Sequence, residues 1–207
     1  VYQISRRIFY VFSVFALTGG SGFDQTSGSA CEGNEGESGF DFYDLDVVCL
    51  RYFNAAGADD DGDLGEEHNP ETHLIPNVIN SALNSSEFTV NGDTYNTDDG
   101  TCIRDFIHVN DLASAHLLSL SFLDSNKGFH VFNLGSETGF SIMEVINECQ
   151  ELLQTKVNFR VGTKRDGDPD ILIADNKKSV NKLNWRLEKN SLKAIISSAI
   201  KYHKNVL

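Results

Sequence analysis

The chain has 207 residues, a formal net charge of −13 and a sequence pI near 4.7. Such an acidic chain argues against nucleic acid or an anionic membrane as a partner, because basic faces bind both. Hydrophobic residues make up 40% of the chain, which is enough for a globular core. The four cysteines lack C-x-x-C spacing and are interpreted as reduced core thiols of a cytoplasmic protein; they are residues 31, 49, 102 and 149.

Residues 1–43 are predicted to form an irregular or aberrant N-terminal segment. An apolar, β-like run over 8–17 precedes a stretch rich in Gly, Ser and acidic residues that has neither a helical nor a strand period. The apolar run is too short to span a bilayer, which takes about 20 residues. We therefore expect residues 18–40 to form a loop or to be disordered.

From residue 44 onwards, strand-like and helix-like patterns alternate, which favours an α/β fold. Runs rich in β-branched and aromatic residues predict buried strands at 45–53, 88–92, 102–109, 130–135 and 157–161. Apolar residues at helical spacing predict helices over 72–84, from 111, from 142, over 175–183 and over 191–202. Thr72 and Asp111 are the predicted N-caps of the first two helices, and Leu120 is assigned to the apolar stripe of the second. The sequence Ser141-Ile-Met-Glu144 predicts a capping box.

Two opposite charges, Arg104 and Asp105, interrupt the strand predicted at 102–109. An arginine in a buried segment is costly unless its guanidinium has a partner. Either Asp105 or an anionic ligand could be that partner, and the pattern alone favours a structural ion pair with Asp105. The acidic stretch Asp59–His68 lacks the spacing of an EF-hand loop and is interpreted as a solvated loop.

Two blocks carry a resemblance to a known family: GTCIRDFIHVNDLASAH at residues 100–116 and LRYFNAAGA at residues 50–58. Both resemble blocks of UDP-glucose 4-epimerases, which belong to the extended short-chain dehydrogenase/reductase superfamily. The resemblance covers about residues 44–207. It implies the C-terminal part of such an enzyme, with the end of a truncated Rossmann-like parallel sheet and a smaller α/β domain that binds a UDP-sugar.

The resemblance nominates site residues one by one. Arg104 and Arg165 are expected to bind the UDP diphosphate, since a planar guanidinium matches phosphate oxygens. Asp168, in the R-D-G-D loop, is expected to bind the ribose hydroxyls. The full set is Tyr52 and Phe53 on the NAD side, and Asn54, His73, Leu74, Arg104, Arg165 and Asp168 on the UDP-sugar side. Core packing for the aromatic pair, a structural role for the histidine and a surface turn for the loop are the alternatives.

The expected catalytic elements are missing. A Gly-rich turn at 18–23 has Gln25 in place of the third glycine of the family's dinucleotide loop, and none of the six tyrosines has a lysine four residues on. Gapless counting puts Asp24 and Gly28 where the family's Tyr-x-x-x-Lys pair would stand. We therefore nominate no catalytic residue and predict that the chain alone lacks epimerase activity.

The resemblance implies an NAD-dependent isomerase of galactose metabolism that forms a homodimer. Two alternatives are a non-catalytic module that binds nucleotide-sugars and another NAD-dependent sugar epimerase or dehydratase. A third is that residues 1–43 derive from a wrong reading frame or a sequencing error.

Overall fold

The computed structural model describes the backbone of residues 9–15 and residues 46–206 in full. The predictions on the Gly-rich turn at 18–23, on Asp24 and Gly28, and on the cysteine at position 31 lie outside the described residues. In chain order the described elements are β1 (Phe9–Phe15), β2 (Asp46–Tyr52), β3 (Asn54–Ala56), α1 (Leu74–Asn84), β4 (Phe88–Asn91), β5 (Ile103–His108), α2 (Val109–Leu123), β6 (Phe129–Leu134), β7 (Gly139–Ser141), α3 (Ile142–Leu153), β8 (Phe159–Gly162), β9 (Ile171–Leu172), α4 (Lys177–Leu183) and α5 (Leu192–Val206).

The first sheet is parallel, in the order β1-β2-β6. Its central strand, β2, is apolar on both faces, as expected for a parallel strand covered on both sides. Residues 47 to 50 of β2 are fully buried. The sheet packs with α2 and with Leu183 and Trp185 in one apolar core, and Trp185 donates its indole N–H to the Asp111 carbonyl at 2.9 Å.

The second sheet is centred on β5, which pairs in parallel with β3 and β9 and antiparallel with β7. A separate parallel pair joins β4 to β8. A second apolar core forms among α1, α3 and α5 and is closed by Phe106 of β5 and Val90 of β4. The strand β5 thus lies between the two cores and carries the charged residues that the sequence singled out.

Helix starts confirm one prediction and correct two. The capping box of α3 is present, with Ser141 as N-cap and Glu144 reaching back to its backbone N–H. The N-cap of α1 is His73 and not Thr72, and the N-cap of α2 is His108 and not Asp111. The His108 ring accepts from the N–H of residue 110, because the strand continues to His108 and the helix begins directly after it.

Other sequence predictions concern side chains and the membrane. Leu120 is 43% exposed, so its assignment to the buried stripe of α2 is wrong: residues 112, 115, 119 and 123 form that stripe. The cysteines at positions 49, 102 and 149 are buried, as predicted for core thiols. Within 9–15 and 46–206, no helix is both long and apolar enough to cross a bilayer.

Candidate functional site

Arg104 is almost completely buried, and its guanidinium is bound within the protein. One terminal nitrogen donates to Asp168 Oδ1 at 2.5 Å, and the other donates to the Ile103 carbonyl at 2.7 Å. The side chains of Arg104 and Asp168 are only 6% and 11% exposed. The partner that the sequence required is therefore Asp168, and the predicted pairing with Asp105 is wrong.

Asp105 has a different role because successive side chains of a strand point to opposite faces. Its carboxylate accepts four hydrogen bonds: from the Ser136 N–H at 2.8 Å and hydroxyl at 2.7 Å, and from the N–H groups of Glu137 at 3.2 Å and Ala174 at 3.1 Å. Burial raises the pKa of Asp105, and the four hydrogen bonds act against that rise. Asp105 thus holds two loops against β5.

Tyr95 completes the environment of Asp168. Its hydroxyl donates to Asp168 Oδ2 at 2.9 Å, so each oxygen of that carboxylate has a partner. Burial and the neighbouring Asp168 raise the pKa of Tyr95 to about 12, so the phenol stays a donor. The Lys164 ammonium lies 4.0 Å from the centre of the Tyr95 ring, where a cation is attracted by the π-face. The sequence analysis predicted a site role for neither Tyr95 nor Lys164. The one sequence feature that could have indicated Tyr95 is its position as an aromatic residue in a loop bounded by glycines.

Arg165 lies in the same turn as Asp168. The Asp168 N–H donates to the Arg165 carbonyl at 3.3 Å, which closes the turn. With the Asn91 amide assigned from its hydrogen-bond network, its side-chain oxygen accepts from Arg165 Nη2 at 3.0 Å and Nε at 3.2 Å. The turn at 165–168 thus brings Arg165 and Asp168 to Arg104, which is 64 positions before Asp168 in the sequence. We call this group the Arg104 cluster; it consists of Arg104, Arg165 and Asp168 together with Asn91, Tyr95 and Lys164.

Three of the predicted site residues, Tyr52, Phe53 and Asn54, lie at the C-terminal end of β2 and directly after it. Tyr52 is 5% exposed, and its hydroxyl is hydrogen-bonded to His116 Nε2. The half-buried Phe53 donates its N–H to the Leu134 carbonyl at 3.1 Å. Asn54 donates its side-chain amide to the Asp105 carbonyl at 2.7 Å, next to Arg104 in the chain. Asn54 thus adjoins the Arg104 cluster, whereas Tyr52 belongs to the core.

His73 and Leu74 have different neighbours. The His73 ring contacts Glu66 and stacks edge-on to His68, with ring centroids 4.8 Å apart. Leu74 begins α1 and packs against the core between that helix and α3. Their predicted role at the UDP moiety stays a prediction.

A dinucleotide needs a cradle for its pyrophosphate and a reactive tyrosine beside the nicotinamide. The phenol of Tyr52 is buried and bonded to His116, and its predicted place on the NAD side stays a prediction. Within 46–206, no tyrosine has a lysine four residues on. What the structure describes does not fit a hydride-transfer centre, and we derive no step through NAD.

Comparison with known proteins shows which proteins this chain resembles. Residues 40–135 match the model of the NAD dependent epimerase/dehydratase family. The UDP-glucose 4-epimerase of Halalkalibacterium halodurans is 45% identical over 163 residues, which cover 78% of this chain and 49% of that relative. Over most of its length the chain is therefore similar to UDP-glucose 4-epimerases. It spans about half the length of the curated epimerases that it matches.

Solved structures agree with this similarity to UDP-glucose 4-epimerases. A crystal structure of a UDP-glucose 4-epimerase has a TM-score of 0.82 at 36% identity, covering 95% of this chain and 64% of that chain. The Bifidobacterium longum UDP-glucose 4-epimerase in complex with NAD+ and UDP has a TM-score of 0.73 at 33% identity, covering 78% of this chain and 48% of that chain. The predicted likeness to UDP-glucose 4-epimerases and the α/β, Rossmann-like fold class are thus confirmed.

Proposed function

We propose that this chain binds a UDP-sugar through the Arg104 cluster and that it does not catalyse epimerisation alone. The ligand is a UDP-hexose of the UDP-glucose and UDP-galactose kind. Arg104 and Arg165 bind the diphosphate, Asp168 the ribose hydroxyls and Asn54 the sugar side. His73 and Leu74 contribute contacts at the edges of the site.

The observation that carries this proposal is the ion pair between the buried Arg104 guanidinium and Asp168, in the turn that also contains Arg165. Arg165 and Asp168 belong to that turn, and Arg104 is bonded to Asp168 across 64 positions of sequence. Arginine rather than lysine suits a diphosphate, since its planar fork can bind two oxygens at once.

The hydrogen bonds of Arg104 leave capacity for a ligand. A guanidinium has five N–H donors, and the Asp168 and Ile103 bonds use two of them. Because the Arg104 side chain is only 6% exposed, the turn at 165–168 has to shift as the ligand enters. Gly167, with a φ of +76° and open space around an added Cβ, gives that turn its conformational freedom.

Isothermal titration calorimetry with UDP, UMP and uridine tests the proposal. We expect UDP to bind at least about tenfold more tightly than UMP, because only the second phosphate engages both guanidinium groups. Uridine should bind more weakly still. Equal affinities for UDP and UMP, or no binding of either, would overturn the assignment.

A second prediction concerns turnover. The purified 207-residue chain, supplied with NAD+, should not convert UDP-galactose to UDP-glucose, while an active UDP-glucose 4-epimerase in the same coupled assay should. The reason is that no tyrosine of the sequence has a lysine at the spacing that lowers its pKa for proton transfer. Turnover that the Arg104→Ala substitution abolishes would contradict the prediction.

The absence of a Tyr-x-x-x-Lys pair from the sequence favours a non-catalytic nucleotide-sugar-binding module over another NAD-dependent sugar epimerase or dehydratase. The family and the NAD complexes of related structures make NAD the cofactor of the wider enzyme class. The free, buried thiols at positions 102 and 149 support a cytoplasmic location, where thiols stay reduced.

A further inference from the structure

Two histidines and two glutamates meet in the loop that precedes α1. They are Glu66, His68, Glu71 and His73, and one ligand-type atom from each lies within 4.8 Å of the other three. The glutamates are the less exposed members, with side chains 19% and 12% exposed, against 49% and 42% for the histidines. Carboxylates this shielded are unusual for a surface loop and require cationic partners.

The separations match a small metal shell. With ligand bonds of about 2.0–2.1 Å, neighbouring ligand atoms of a tetrahedral Zn²⁺ site lie about 3.4 Å apart. His68 Nδ1 lies 3.3 Å from Glu66 Oε1 and 3.5 Å from Glu71 Oε1. The Glu66–His73 contact is closer and would open as an ion enters between the two atoms.

Backbone hydrogen bonds hold one of the carboxylates in place. Glu71 accepts from the N–H groups of Thr72 and His73, both at 2.8 Å, and from that of His68 at 3.3 Å. Such outer hydrogen bonds are the usual means of orienting a metal-binding carboxylate.

We propose that Glu66, His68, Glu71 and His73 form a Zn²⁺ site that fastens the loop at 59–72 to the start of α1. Two imidazoles with two carboxylates are borderline-hard donors that suit Zn²⁺ better than Ca²⁺ or Mg²⁺, which prefer oxygen alone. The two carboxylates neutralise the ion, which offsets its unfavourable position at the positive end of a helix.

Zinc titration of the apo chain in a calorimeter tests the site. We expect one Zn²⁺ per chain and a rise in melting temperature, with affinity at least about tenfold lower in both His68→Gln and Glu71→Gln. These two residues are chosen because neither has a predicted role in UDP-sugar binding. His130→Gln, a half-buried histidine on β6, is the matched control and should bind Zn²⁺ as the parent does. Unchanged affinity in the His68 and Glu71 variants, or no binding by the parent chain, would overturn the proposal.

Cobalt substitution identifies the ligands independently of stability. Co²⁺ in a four-coordinate nitrogen and oxygen shell gives strong visible d–d absorption, which should be lost in His68→Gln and kept in His130→Gln. A near-ultraviolet thiolate-to-cobalt band would assign the ion to cysteine and would refute the site. Because UDP titration of the zinc-free chain is a separate experiment, failure of this site and failure of UDP binding are distinguishable.

Discussion

Arg104→Ala is expected to abolish UDP binding and to lower the free energy of unfolding by about 3–5 kcal/mol. Affinity is lost because Arg104 supplies one of the two guanidinium groups assigned to the diphosphate. Stability is lost because Asp168, only 11% exposed, keeps its charge without its ionic partner, while the Tyr95 hydroxyl alone cannot neutralise it. Urea unfolding and UDP calorimetry on the same preparation measure the two effects.

Arg160→Ala is the matched control for this substitution. Arg160 also pairs with a carboxylate, Glu87, at 2.7 Å, but the two side chains are 70% and 50% exposed. Exposed pairs contribute at most about 1 kcal/mol, so this variant should unfold and bind UDP much as the parent does.

Arg104→Lys separates ligand recognition from folding. A lysine keeps a positive charge near Asp168 and should retain more stability than alanine, but it lacks the planar fork and should lose most of the preference for UDP over UMP. If Arg104→Lys binds UDP as tightly as the parent, Arg104 does not bind the diphosphate. If Arg104→Ala unfolds like Arg160→Ala, the buried ion pair is not a major source of stability.

Local patterns predicted most of the secondary structure. The continuous apolar run of β2 and the Ser141–Glu144 capping box are signals that depend on residues close in sequence, and the structure has both. The ends of helices were less predictable because competing caps stand side by side. His108 caps α2, and Asp111 instead uses its carboxylate to accept from the N–H groups of residues 188 and 189.

The candidate site depends on long-range contacts that local patterns do not contain. The sequence showed that Arg104 needed a partner, but the predicted pairing with Asp105 did not take into account that neighbouring side chains of a strand point to opposite faces. Asp168 could be identified as that partner only from the structure, because the 164–168 turn folds back onto β5. The Glu66 and His68 cluster was missed for the same reason, since an irregular loop has no period from which side-chain directions follow.

Asp105→Ala is expected to destabilise the protein by about 3 kcal/mol or more, without removing any residue assigned to the ligand. The carboxylate is fully buried and accepts from three backbone N–H groups and one hydroxyl. Alanine leaves those donors buried without an acceptor, and each unsatisfied donor costs about 1–3 kcal/mol before the loops relax.

Two further variants make the Asp105 result interpretable. Asp105→Asn retains one acceptor oxygen but directs an amide N–H₂ at backbone donors, so it should recover only part of the loss. Asp98→Ala, at an exposed position of a turn, should change the free energy of unfolding by no more than about 0.5 kcal/mol. Urea unfolding measures the free energy of unfolding of all three variants. If Asp105→Ala is as stable as Asp98→Ala, the loops at 136–137 and 174 do not depend on the Asp105 carboxylate. Because Asp105 faces away from Arg104, residual UDP affinity of the folded Asp105→Asn protein should stay within about threefold of the parent, which separates support of the fold from contact with the ligand.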